Sequence, residues 1–366
     1  MEKEGLEIMK VLITGICGYV GSRIASRLFE SVSGLEVCGV DNLSRRGSET
    51  NLPLLARLGA KVIHGDVRLQ EDIGSLPKTD WVIDCAANPS VLAGIVPDGG
   101  VSSAQIVGSN LTGTLHLLEY CKRYKSGLIL LSTSRVYSTK ALNAIKLSET
   151  ATRFEPAGRG VADGFSKHGI SEKFSTEPPL SLYGATKLSS EIMALEYAEA
   201  FSFPLWINRS GVIGGPGQFG KADQGIFSFW VYSRLLKQPL KYIGFGGKGK
   251  QVRDFVKAED VADLLIRQMK RPDKKAPKII NIGGGRPSSM SLRELDQICR
   301  GFFGATDVPG SVAADRPCDV PYYVSDTRLA RQYWGWDPSR RRDEMILDIC
   351  HWARDNRATI KQWWGI

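Results

Sequence analysis

Apolar residues occur along this chain in two spacings: short unbroken runs, and longer stretches with a beat of three to four residues. The runs at 10–14, 35–40, 61–64, 81–84, 127–132 and 204–208 predict strands. The stretches 19–31, 103–124 and 182–201 predict helices. Strands this apolar, separated by helices, predict an α/β fold with a doubly wound parallel sheet covered on both faces. Beyond residue 210 the character changes. Glycine-rich loops at 211–220 (GVIGGPGQFG) and 244–250 (GFGGKGK) flank a helical stretch at 225–236. Residues 261–270 predict a helix, 279–282 a strand returning to the sheet, and 291–303 a helix opened by a Ser291/Glu294 capping box. This half is expected to form a smaller mixed α/β unit that receives a second ligand. The polar 138–179 connection is long enough to be functional, although a surface excursion fits it equally well.

Composition narrows the chemistry. No apolar run approaches the ~18–20 residues of a membrane span, so no membrane partner is expected. The polar opening is not a signal peptide, and Met9-Lys10 directly precedes the first strand, so residues 1–8 read as a leader. The 7 cysteines include no CxxC pair and mostly sit in apolar segments, which predicts buried free thiols and a cytoplasmic protein. The 4 histidines form no ligand pairing, so no metal site is expected. The net charge of +9 favours anionic ligands, but no basic stripe with interleaved aromatics points to nucleic acid. The C-terminal tryptophans 334, 336, 352, 363 and 364 read as core or interface residues.

Three motifs carry chemistry. The first is Thr14-Gly15-Ile16-Cys17-Gly18-Tyr19-Val20-Gly21, between a predicted strand and a predicted helix. Gly15 permits the tight turn, Gly18 lets a pyrophosphate approach the helix N-terminus, and Gly21 lets the helix pack closely on the sheet. Asp41 ends the second strand about 20 residues past Gly21, where a carboxylate binds ribose hydroxyls and repels a 2′-phosphate. This favours NAD, although Arg45 and Arg46 follow and would suit NADP unless they belong to a solvated turn. The second is Tyr183-Gly184-Ala185-Thr186-Lys187, which puts Tyr183 and Lys187 on one helix face. A lysine charge ~5 Å from a phenol, at an effective dielectric near 20, lowers its pKa by ~2 units. The third is Thr133 in Leu131-Ser132-Thr133-Ser134-Arg135, at the end of an apolar strand, where a hydroxyl can orient a reacting oxygen.

In this order, these motifs resemble the extended short-chain dehydrogenase/reductases, the NAD-dependent epimerase/dehydratase group, over nearly the whole chain. The resemblance implies a Rossmann-type NAD-binding domain at 9–208 and 254–283, and a nucleotide-sugar substrate domain at 209–253 and 284–366. It implies Thr133, Tyr183 and Lys187 as the catalytic set. Around NAD it implies Gly15, Cys17, Gly18, Tyr19, Gly21, Asp41, Asn42, Asp66, Val67, Ala86 and Ala87, with Tyr183 and Lys187. Asn110 matches a helix asparagine that supports the active site. Asn208, Gln224, Gly225, Arg253 and Arg316 are the implied substrate residues, the two arginines holding a diphosphate.

Within the family, residues 41–48, 64–68, 223–225 and 247–254 look most like the branch that inverts C2 of CDP-linked hexoses. Relatives that eliminate water carry an Asp-Glu pair after the threonine; Ser134-Arg135 stands here instead, which favours epimerisation. A UDP- or GDP-sugar 4-epimerase or 4-reductase, and a non-catalytic NAD sensor, remain alternatives. The family also implies a homodimer formed through helices 103–124 and 182–201. Glycines 214, 215 and 217 are expected to leave room for a rotating sugar.

Overall fold

The computed structural model describes residues 8–95, 101–158, 162–221, 224–272, 275–338 and 342–366. Residues 1–7 of the expected leader, and Asp223, lie outside them. The apolar runs form a sheet of seven parallel strands. Across the sheet the order is Ile279–Ile282, Leu205–Ser210, Gly127–Thr133, Trp81–Asp84, Met9–Thr14, Leu35–Asp41, Lys61–His64. The chain winds outward from Met9–Thr14 on one side, then returns to build the other. The carboxyl ends of Met9–Thr14 and Trp81–Asp84 therefore open on the crevice where such sheets take ligands.

Both faces of the sheet are covered. Helices Tyr19–Ser31 and Ala258–Lys270 bury one face around Ile24, Leu28, Val261 and Leu265. Helices Gly113–Tyr124 and Leu182–Phe201 bury the other around Leu117, Cys121 and Ala194. A third core joins helices Ile226–Leu235, Leu292–Phe303 and Arg342–Asp355. Trp334 and Trp336 are buried, and the Trp336 indole donates to the Asp260 carbonyl at 2.7 Å. All seven cysteines are free thiols.

The structure departs from the sequence reading in three places. The predicted 103–124 helix is divided by a π turn at Gly108–Thr112, in which Asn110 is buried. The predicted 204–208 strand is Leu205–Ser210, so Arg209 and Ser210 belong to the sheet. The 254–283 segment is split: Ile279–Ile282 joins the main sheet, but Val252–Lys257 pairs with Val212–Gly214, Ser289–Ser291 and Tyr322–Tyr323 in a second sheet. The long 138–179 connection carries two small hairpins, Leu147–Glu149 with Phe154–Pro156 and Phe165–Ser166 with Gly169–Ile170.

A buried ionic network ties the sheet to the tyrosine-bearing helix. Arg209 Nη2 meets Glu191 Oε2 at 2.6 Å, with side chains 6% and 1% exposed. Ser132 Oγ donates to the same carboxylate at 2.5 Å. The Arg209 guanidinium also lies 5.1 Å from the Tyr137 ring centre, and the Tyr137 hydroxyl donates to Asn281 at 2.6 Å. Removing one partner of such a pair leaves a charge without water or counter-ion. Glu191→Ala is therefore expected to lower unfolding free energy by about 3–5 kcal/mol. Glu36→Ala, at the exposed pair Lys10–Glu36, should cost under ~1 kcal/mol. Urea unfolding of both variants checks the contrast.

Candidate active site

The glycine turn is fixed by backbone geometry. Gly15 has φ +63, and a Cβ on Gly21 would lie 2.3 Å from the Gly15 carbonyl oxygen, so helix Tyr19–Ser31 packs directly on the turn. Gly18 caps this helix without a side-chain bond, leaving the N-terminus to a ligand. Asp41 Oδ2 accepts from the Cys17 amide at 2.9 Å and Oδ1 from the Leu43 amide at 2.8 Å, so one carboxylate locks both the turn and the loop beyond the second strand. Asn42 donates to Asp66 at 3.0 Å. The Arg68 guanidinium, helped by Asn42, holds the Asp66 carboxyl well below the usual carboxylate range. Thr14 Oγ1 accepts from the amides of Cys85 and Ala86 at 3.1 and 3.0 Å, setting the floor beside Ala87.

A cleft of about 1040 Å³ runs from this turn across the strand ends into the second unit. Gly15, Gly18, Tyr19, Gly21, Asp41, Asn42, Asp66, Val67, Ala86 and Ala87 line its first part. Thr133 and Tyr183 lie at its middle, and Gln224, Gly225, Arg253 and Arg316 beyond. Cys17 is not at the surface of the cleft; burial, then Asp41, pushes its thiol up to about 12.

Tyr183 sits in the first turn of helix Leu182–Phe201, where Ser181 Oγ accepts from the Gly184 amide at 3.0 Å. Burial pushes the Tyr183 phenol above its ordinary range, while a hydrogen bond with Thr133 and the charge of Arg135 pull it back. Lys187 is only 1% exposed and lies behind the cleft wall. Its charge opposes the upward push of burial and Asp84 on the Cys85 thiol. Asn110 is fully buried, accepting from the Asn88 amide at 2.8 Å and donating to Thr186 at 3.2 Å. It joins the cleft floor to the tyrosine helix from behind.

Some expectations are corrected. Asn208 exchanges two 3.0 Å hydrogen bonds with Gln268 and is fully buried against helix Ala258–Lys270, so it does not face a substrate. Its strand is buried on both faces, and the residue points to the wrong one. Glycines 214, 215 and 217 leave no room for a sugar. A Cβ at 214 would meet Phe255, at 215 the Tyr19 hydroxyl, and at 217 Arg23. Their small size lets the 211–219 loop pack on the protein. Arg45 is not in a solvated turn: it donates to the Gln224 side chain and, at 2.7 Å, to the Phe219 carbonyl. Gln224 is thus held by the first unit. Arg253 donates to Asp319 at 2.8 Å and to the Val320 carbonyl at 2.7 Å, and burial, opposed by Asp319, pulls its guanidinium down to about 10. Arg135 also lines the cleft, a residue noted in the sequence only as the absence of an acid.

Residues 11–283 match the family model for the NAD dependent epimerase/dehydratase family. The chain belongs to that family. A family enzyme of Salmonella typhi, CDP-paratose 2-epimerase, is 30% identical over 94% of this chain and 99% of its own. UDP-glucuronate 4-epimerase of Thermodesulfobacterium geofontis is 26% identical over 96% and 98%. Among solved structures, Bacillus cereus UDP-glucuronic acid 4-epimerase, in complex with UDP-glucuronic acid and NAD, superposes with a TM-score of 0.75 at 24% identity, covering 95% of this chain and 99% of that one. Thermus thermophilus UDP-glucose 4-epimerase in complex with NAD gives 0.72 at 25%, covering 94% and 99%. NAD is the cofactor of this family member, and the residues present fit it: a turn closed by Gly15, Gly18 and Gly21, an open helix N-terminus and a strand-end carboxylate.

Tyr183→Phe keeps the ring and removes the transferable proton. Turnover should fall ~10²–10⁴-fold with NAD binding intact, measured by steady-state rate and NAD titration; near-normal turnover would remove the role. Asp41→Ala should shift preference toward NADP, read as the ratio of the two dissociation constants. An unchanged ratio would assign the ribose to another group.

Proposed function

We propose that this enzyme epimerises a nucleotide sugar, inverting C2 of a CDP-linked hexose of the paratose–tyvelose type. The observation that carries the reading is that one cleft gathers the glycine turn and Asp41, Thr133 with Tyr183, and Arg253 with Arg316. A diphosphate at the two arginines would set a sugar between Tyr183 and the cofactor end. Thr133 holds the sugar oxygen, and Tyr183 accepts its proton. NAD held by the Gly15–Gly21 turn and Asp41 would supply hydride acceptance and hydride return at the alcohol carbon, while the residues of the chain move only the oxygen-bound proton. The keto-sugar then turns its other face while Arg253 and Arg316 keep the diphosphate. Tyr183, a phenolate when it accepts the proton, gives it back, so it ends each cycle as the phenolate it began. Ser134 and Arg135, which follow Thr133, supply no acid–base pair for eliminating water.

Likeness to the Salmonella enzyme supports the choice of C2 and of CDP. A homodimer is part of the same reading. Val107, Leu182 and Ile192 are exposed apolar residues on helices Ser103–Val107 and Leu182–Phe201. A twofold axis beside them would bury the same patch on both subunits. Light scattering at micromolar concentration should give the dimer mass; a monomer would contradict it.

The substrate test is incubation with CDP-paratose, UDP-glucuronate and UDP-glucose, followed by proton NMR. Inversion at C2 of the CDP-sugar is expected, with NAD released on denaturing the purified protein. Inversion at C4 of a UDP-sugar, with the CDP-sugar untouched, would overturn the assignment.

A further inference from the structure

The role assignments so far leave Arg135 unused, although it lines the cleft beside Thr133 and Tyr183. Its backbone is fixed from two sides. Its amide donates to Thr133 Oγ1 at 3.2 Å. A Cβ on Gly184 would lie 2.1 Å from its carbonyl oxygen, so the first turn of the tyrosine helix rests on it. Its guanidinium reaches into the second unit, where Nη1 donates to the Cys318 carbonyl at 3.2 Å. That bond uses one of the five N–H donors of the fork. The same loop carries Arg316 and Asp319, and Asp319 is engaged by Arg253 at 2.8 Å.

Val91, Ala93, Val101 and Ile106 pack against Tyr183. Its own helix contributes Lys187 from behind. The strand end contributes the Thr133 hydroxyl and Arg135, and the facing loops contribute Arg253, Arg316 and Asp319.

We propose that Arg135 is a positioning residue acting through Tyr183: held by the Cys318 carbonyl, its guanidinium stabilises the phenolate form from the cleft side. Burial alone disfavours the anion, and a cation that keeps its proton through the working range offsets this. The direction agrees with the pull of Arg135 on the Tyr183 phenol, and with its part in lowering Arg253. Joining the strand end to the Arg316 loop, the same side chain links the reacting oxygen to the substrate-holding loop.

The inference rests on Tyr183 being the proton-transfer group, so its test does not depend on a sugar. The holoenzyme is purified with its NAD and labelled with ¹³C at tyrosine Cζ. The Tyr183 signal among the 11 tyrosines is assigned by its loss in Tyr183→Phe. Wild type, Arg135→Gln, Arg135→Met and Arg135→Lys are then titrated. A unit charge ~10 Å away at an effective dielectric near 20 moves a pKa by about one unit. The midpoint should rise by about that much in the Gln and Met variants and return with Lys. The Met variant keeps the aliphatic stem, so the reading does not depend on Gln folding. An unmoved midpoint in either neutral variant, or no return with Lys, overturns the proposal. A shifted midpoint in protein that turns over no nucleotide sugar keeps Arg135 and removes the epimerase reading. An unmoved midpoint in an active epimerase removes Arg135 alone.

Discussion

The end of strand Gly127–Thr133 and the first turn of helix Leu182–Phe201 meet with almost no space between their backbones. Gly184 lies so close to the Arg135 carbonyl that any side chain there would collide with it. This contact puts Thr133 and Tyr183 on the wall of one cleft. It survives because it is pinned from behind at two heights. Glu191, one turn past Lys187, binds Ser132 and Arg209, and Asn110 binds Thr186 and the 88 loop. All of these groups are buried, so loosening any of them exposes a charge or an unpaired polar atom. The reacting geometry is thus paid for in the core before a ligand arrives, the condition for precise orientation.

Charge is distributed along the cleft in the same manner. At the cofactor end the carboxylates are committed to protein donors, Asp41 to two backbone amides and Asp66 to Arg68. At the far end Arg135, Arg253 and Arg316 line the cleft together with Asp319, which pairs with Arg253. On the proposed reading, these cations would hold a diphosphate and, through Arg135, stabilise the phenolate. The bonds of Arg45 to Gln224 and Phe219 carry the cofactor loop across to the substrate side.

Much of the fold was legible because it is local. Helices Tyr19–Ser31 and Leu182–Phe201 and strands Lys61–His64, Trp81–Asp84 and Ile279–Ile282 follow the sequence pattern to the residue. The glycine turn and the Tyr183 helix were legible for the same reason, since each motif lies within one turn of chain. What failed depended on distant partners. Asn208 sits in a strand buried on both faces, so alternation could not say which way it points, and Gln268 decides it. Glycines 214, 215 and 217 are shaped by Phe255, Tyr19 and Arg23, from two other elements, strand Val252–Lys257 and helix Tyr19–Ser31. The π turn at Gly108–Thr112 leaves the helical beat almost unchanged, so the pattern ran straight through it. Arg135 looked like a missing acid because its partner, Cys318, is far along the chain.

The central claim is that one alcohol carbon is oxidised and re-reduced with its own hydrogen, while Tyr183 moves only the oxygen-bound proton. Turnover in D₂O, followed by NMR and mass spectrometry of the product, tests it most directly. Transient oxidation at the inverted carbon predicts an inverted product with no solvent deuterium at that carbon. Deuterium entering there in step with inversion would mean deprotonation at carbon, and the roles of Thr133, Tyr183 and the cofactor cleft would have to be reassigned.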